Sequence, residues 1–269
     1  MSAAMQKDEA ETGSGIPTLD VSGARATIRF NRPRQRNRIE PADLAELVRL
    51  CDLADADAGL RVLVITGTGP VFSAGAHLGA MGDKEAQAAA AAESIEFGEM
   101  VSRLERVRVP TIARLQGGVY GGATDLALAC DFRIGHTGIE MFMPAGRLGV
   151  HYYESGLRRY VSRLGLNTAK RMFLTAEKFD AAELLRVGYL TQLVEPDQLD
   201  AAVDALAGRI AEMAPLAVQG MKRALNEIGH GALDVAALQS RIAACRASAD
   251  LAEGLASFRE KRAPVFQGR

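Results

Sequence analysis

The sequence predicts an α/β fold with a separate helical region at its C-terminal end. Three observations carry this class. Short apolar or alternating strand patterns recur roughly every 30–50 residues, each followed by a turn and then a helical pattern. Strand patterns stop near residue 196, and four helical stretches follow. The composition, 48% apolar and 24% charged, is that of a packed chain and not of a disordered one.

The elements follow in order. Residues 1–15 are small, polar and charged, and read as a flexible tail. Residues 24–30 (ARATIRF) alternate as a half-buried strand does. Residues 41–53 carry Leu44, Leu47, Val48 and Cys51 at helical spacing, with Pro41 in the first turn. The run 62–67 (VLVITG) reads as a buried parallel strand. The alanine tract 86–92 reads as a surface helix or flap, and 96–106 as a helix. Residues 111–115 and 132–135 are two more strands, with a helix starting at 125 between them. Helices are expected over 197–213, 215–228, 233–249 and 252–261, the first with an apolar stripe at Leu199, Val203, Leu206, Ile210 and Met213. The chain thus divides into a tail (1–15), a core (16–196) and a helical region (197–269) suited to packing or oligomerisation.

Composition also excludes function classes. With 32 Lys and Arg against 33 Asp and Glu, the formal charge is −1, which argues against a basic nucleic-acid binder. Aromatics are 5% and tryptophan is absent, so no stacking platform for single strands is expected. No run reaches membrane-spanning length, and the N-terminus lacks the apolar segment of a secretory signal. Cys51, Cys130 and Cys245 lie far apart, and neither they nor the four histidines show metal-ligand spacing. No metal is expected, and the cysteines read as buried thiols in a reducing cytoplasm.

Two glycine-bearing turns carry the candidate chemistry. Phe72 to Leu78 (FSAGAHL) follows a strand, and its small residues leave backbone N–H groups unobstructed. Gly117 to Asp125 (GGVYGGATD) follows the next strand and opens a helix, where N–H groups are unpaired and the dipole is positive. Side by side, such turns can place two donors on one carbonyl oxygen, an oxyanion hole. Neither turn has the spacing of a nucleotide-binding loop, and no G-x-S-x-G elbow occurs.

On these motifs the sequence resembles the crotonase (enoyl-CoA hydratase/isomerase) superfamily. The matching segments are NRPRQRN (31–37), FSAGAHL (72–78), YGGATDLALACDFRI (120–134), F-x-P-x-x-x-LGV (142–150) and SFREKRAPVF (257–266). The resemblance implies a spiral of stacked ββα units whose C-terminal helices build a homotrimer or a dimer of trimers. It implies a coenzyme A thioester as substrate, no cofactor and no metal. It places the oxyanion donors at Ala76 and Gly122, with Ala74, Gly75, His77, Leu78 and Gly121 shaping the pocket. Arg34, Arg36 and Arg38 near the start of the chain, and Phe258 and Lys261 near its end, are implied contacts to coenzyme A.

The sequence departs from the superfamily at the residues that choose the reaction. The two water-activating glutamates of hydratases fall at Asp125, shorter by one methylene or about 1.5 Å, and at Ala145, which carries no proton. Glu154 falls where relatives that isomerise dienoyl-CoA or dehalogenate aryl-CoA carry an Asp. Tyr152 falls where the resembling methylmalonyl-CoA decarboxylases carry a carboxylate-orienting tyrosine. The expected reaction is hydration or double-bond isomerisation of an enoyl-CoA, with Asp125 and Glu154 as the carboxylates. Alternatives are decarboxylation of a malonyl-type thioester, oriented by Tyr152, and non-catalytic binding of acyl-CoA.

Overall fold

The computed structural model describes residues 15–77 and 95–269. Leu78, the alanine tract and the first fourteen residues lie outside the described residues. An antiparallel hairpin of β1 (Thr18–Ser22) and β2 (Arg25–Phe30) opens the fold, turning at Gly23 with φ +57°. Helix α1 (Pro41–Ala56) follows, with Pro41 at its first position and a reciprocal Glu40–Asp43 capping box. The buried Asp43 carboxylate also meets Arg32, so this arginine of the NRP motif is structural.

The remaining core repeats one unit. β3 (Val62–Gly67) leads to α2 (Phe97–Glu105); β4 (Thr111–Leu115) and β5 (Val119–Tyr120) lead to α3 (Gly122–Ala129); β6 (Phe132–His136) and β7 (Glu140–Phe142) lead to α4 (Glu154–Lys170). The first strand of each unit joins a six-stranded sheet of order β1-β2-β3-β4-β6-β9, parallel from β2 onward. The second strand joins a small sheet, β5-β7-β8, which a bridge between Ser73 and Val119 extends to the previous unit. This is a spiral of stacked ββα turns. β8 (Lys178–Asp180), α5 (Ala181–Arg186) and β9 (Gln192–Val194) complete it.

All six residues of β3 are buried, as expected for a strand covered on both faces. β2 differs from the half-buried expectation: Thr27 is buried along with Ala26, Ile28 and Phe30, because β2 lies inside the sheet. The helix expected from 125 begins at Gly122, so Asp125 is its fourth residue. After β9 come α6 (Leu199–Ala211), α7 (Pro215–Gly229), α8 (Val235–Ala247) and α9 (Ala249–Glu260). Leu199, Val203 and Ala207 of α6 cover Val62, Val64, Ile112 and Ile134 on one face of the sheet. The larger core lies between the opposite face and α1–α4. The outer helices leave large apolar side chains exposed, among them Leu225, Ile228, Leu255 and Phe258.

Candidate active site

The two glycine-bearing turns meet. Gly75 has φ +84°, and a Cβ there would stand 2.5 Å from the Tyr120 carbonyl and 2.8 Å from the Gly122 nitrogen. Only glycine permits this approach. The turn is pinned on its other side by the strand-like pairing of Ile39 with Ala76, through Ile39 N to Gly75 O and His77 N to Ile39 O. Ala74 N donates to Arg36 O, and the Ser73 hydroxyl donates to Asn37 O while accepting from Gly75 N. Asn37, buried in the left-handed conformation, ties this loop to the carbonyls of Thr68 and Val71.

These bonds engage the N–H groups of Ala74, Gly75 and His77. The Ala76 N–H is left without a partner among the described residues. Across the contact, Gly121 N donates to Phe142 O, and Gly121 takes φ +54° and ψ −131° to start α3. Gly122 is then the first helical residue, and its N–H is also unpartnered among the described residues. The Phe97 ring lies over it, since a Cβ on Gly122 would stand 2.8 Å from that ring.

Asp125 stands one turn further along α3, fully buried. Its Oδ2 accepts from the Tyr153 hydroxyl at 2.5 Å and from Arg159 Nη1 at 2.6 Å; its Oδ1 has no partner among the described residues. Asp125 is thus a carboxylate clamped through one oxygen. Burial pushes its carboxyl above the usual range, while Arg159 and Tyr153 pull it back. Arg159 is itself fully buried, and burial works against its charge. Asp125 and Glu105 outweigh that and hold it charged. Glu105 in turn meets Arg163 at 3.0 Å and His230, the residue after α7, at 3.1 Å. His230 thus links the outer helices to this network.

Tyr152 is half-buried in an aromatic stack, 4.4 Å from Tyr153 and 4.9 Å from Phe173. Its hydroxyl lies 3.3 Å from that of Tyr153. The proton of Tyr153 is directed at Asp125, so Tyr152 donates to Tyr153. Burial pushes both phenols up, which keeps them neutral. Glu154 opens α4 at the surface, its side chain 78% exposed and paired with Arg158 at 2.8 Å. Ala145 is buried in the core.

His77 Nδ1 meets Glu40, and Arg38 meets the same carboxylate, so these two side chains hold the turn and Arg38 is not free. Arg34 and Arg36 are exposed and have no ion pair among the described residues. Phe258 is 85% exposed. Lys261 is exposed in the left-handed conformation at the end of α9. Arg262 beside it pairs with Glu253 and Glu260. Cys51 and Cys130 are buried, and burial pushes both thiols up to about 12. No group of three or more His, Cys, Asp and Glu side chains suited to a metal occurs among the described residues. Nor is any helix among them long and apolar enough to cross a membrane.

Sequence reasoning missed Arg159, Phe97 and the part played by Tyr153. A Cβ on Gly98 or Gly156 would stand 2.8 Å from the Tyr153 ring, and one on Gly156 2.5 Å from the Tyr152 ring, contacts that only the folded chain shows.

The enoyl-CoA hydratase/isomerase family pattern matches residues 21–269. The chain is 31% identical over 244 residues to the 2,3-dehydroadipyl-CoA hydratase of Escherichia coli (strain K12), covering 90% of this chain and 94% of that protein. It is 32% identical over 248 residues to the crotonyl-CoA hydratase of Syntrophomonas wolfei, with the same shares. Among solved structures, the enoyl-CoA hydratase of Bacillus anthracis is similar at 28% identity and TM-score 0.84, covering 94% of this chain and 99% of that one. An enoyl-CoA hydratase/carnithine racemase from Magnetospirillum magneticum reaches 0.86 at 27% identity, over 94% and 96%. With the motif set, the stacked ββα turns and these relatives in agreement, the chain belongs to the enoyl-CoA hydratase/isomerase family of the crotonase superfamily.

Proposed function

We infer that this acyl-CoA-processing enzyme takes an enoyl-CoA thioester and seats its carbonyl oxygen on the N–H groups of Ala76 and Gly122. The observation that carries the reading is that pair of donors. They belong to two turns in van der Waals contact, and both are unpartnered among the described residues while the N–H groups of Gly75, His77 and Gly121 beside them are engaged. Charge that builds on the oxygen as an enolate is stabilised by donors already oriented, with no reorganisation at the moment of reaction. Water then adds at the β carbon, or the double bond shifts by proton transfer. Asp125 and Glu154 are the carboxylates for that work. Tyr152, held by its stacked neighbours, is a wall of the acyl pocket.

The reading calls for coenzyme A as part of the substrate and for no separate cofactor. Arg34 and Arg36, exposed and without an ion pair among the described residues, suit its phosphates. Phe258 and Lys261 reach a neighbouring subunit's coenzyme A in a trimer or pair of trimers. The exposed apolar side chains of α7 and α9 support such an assembly. A cytoplasmic site of action goes with free cysteines. Crotonyl-CoA and a 3-enoyl-CoA test the reaction together. Hydration removes the conjugated enoyl absorbance of the first, and isomerisation creates it from the second. No change with either, and release of CO₂ from methylmalonyl-CoA, would replace this reading by decarboxylation.

A further inference from the structure

The two oxygens of Asp125 are treated unequally. Oδ2 has two donors, Tyr153 and Arg159, whereas Oδ1 is buried and meets no polar atom of the described residues. Buried carboxylate oxygens nearly always have a donor. Gly122 and Asp125 are three residues apart in one helix and share a face, so Asp125 stands within about one helical turn, roughly 5 Å, of an oxyanion donor. Phe97 closes the same corner, lying over Gly122 and tilting against Tyr153 with ring centroids 6.3 Å apart.

Tyr153 is built into this place. Gly98 and Gly156 make room for its ring, and Tyr152 stacks on it at 4.4 Å. A phenol has one proton, and that of Tyr153 goes to Asp125 while its oxygen accepts from Tyr152. Arg159, fully buried, closes the clamp from α4.

We propose that Tyr153 is a positioning residue of the reaction. With Arg159 it locks Asp125 through Oδ2, so that Oδ1 stands as a fixed acceptor for the water that adds to the enoyl thioester and for the hydroxyl of the product. The water oxygen bonds to the β carbon as the π pair moves onto the thioester oxygen. The proton that water gives up ends on the α carbon, so the atoms of water and substrate are all accounted for in the 3-hydroxyacyl product. The clamp offsets the side chain that is one methylene short: a shorter acid held still replaces a longer one. This role rests on the hydratase reading above.

Tyr153→Phe keeps the ring and removes only the hydroxyl. On the full chain with crotonyl-CoA, kcat is expected to fall about tenfold or more with KM within about twofold. The acid limb of kcat is expected to move to higher pH, because the charged form of Asp125 loses a donor. The groups facing Asp125 stay in place: Arg159 and Tyr160 of α4, Glu105 of α2, and Tyr152 and Tyr189. If Tyr153 acts through Asp125, the double variant with Asp125→Asn is no slower than Asp125→Asn alone. An unchanged kcat and pH profile overturns the proposal. So do losses that multiply in the double variant, or a Phe variant whose fold collapses on melting. A wild-type chain that leaves crotonyl-CoA unchanged at every pH overturns the hydratase reading itself, and the positioning role with it.

Discussion

Arg159 Nη1 meets Asp125 Oδ2 at 2.6 Å, and neither side chain has exposed surface. The same guanidinium lies 3.1 Å from Glu105, so one buried cation ties α4 to α3 and α2 around the candidate site. Removing one partner of a buried pair leaves an uncompensated charge and costs about 3–5 kcal/mol, whereas removing the charges together costs far less. Arg159→Met is expected to lose about that much in urea unfolding. Adding Asp125→Asn to it, with Glu105 kept for Arg163, is expected to recover more than half. A single variant within about 1 kcal/mol of wild type would show that this network does not hold the helices.

The Gly122 N–H can be removed without breaking the helix. Gly122 is the first helical residue, a position that accepts proline. Both Ala and Pro there press a Cβ on the Phe97 ring, 2.8 Å away, so both are made with Phe97→Ala. The comparison then reads the missing donor together with the Cδ that takes the place of its hydrogen. Gly122→Pro is expected to turn over crotonyl-CoA about 10²–10³ times more slowly than Gly122→Ala, the loss of one oxyanion donor. Equal rates would remove this N–H from the mechanism.

The scaffold was more legible than the site. The apolar run of β3 and the prolines that open α1 and α7 are local signals, and the elements formed there. β5, β7 and β8 are two or three residues long, too short to show a period, and only their sheet partners define them. The two turns were legible because a left-handed backbone and a close approach both demand glycine, as Gly75 and Gly121 show. Asp125 was legible as a carboxylate and not as a clamped one. Arg159 lies 34 residues away in sequence, and nothing near either residue announces their contact. Glu105 and His230, 125 residues apart, were hidden for the same reason.

Glu154 gives a clean test of proton transfer, because its place in the fold is undemanding. Its side chain is 78% exposed and meets Arg158, four residues on, in a surface pair. Such pairs contribute about 0.3–0.5 kcal/mol. Glu154→Gln is therefore expected to unfold in urea within about 0.5 kcal/mol of wild type, so a change in rate reads the chemistry alone. A carboxylate acting as general acid or base is worth about 10²–10⁴ in kcat, and a loss in that range with either enoyl-CoA is expected. An unaltered kcat would leave Asp125 as the carboxylate of the reaction.

The C-terminal segment is held by carboxylates and should loosen in acid. Glu253 accepts from Arg262 at 2.5 and 2.8 Å and from Val265 N at 2.8 Å, and Asp250 accepts from the N–H groups of Gln267 and Gly268. The Arg262 bonds, then the Val265 N–H, bring the Glu253 carboxyl from its ordinary value near 4.5 down to about 2. A depressed carboxyl stabilises the folded arrangement fully above its unfolded pKa and loses that contribution as pH falls through the folded one. The excess of pepsin cleavage in Glu253→Gln over wild type, compared at the same pH, is therefore expected to shrink as pH drops from about 4.5 toward 2. Glu253→Gln, which loses the charge at every pH, is expected to be trimmed by carboxypeptidase already at pH 7. It should also take up less acyl-CoA, because the segment fixes the chain reversal at Lys261. A variant trimmed no faster than wild type would show that Asp250 alone holds the tail.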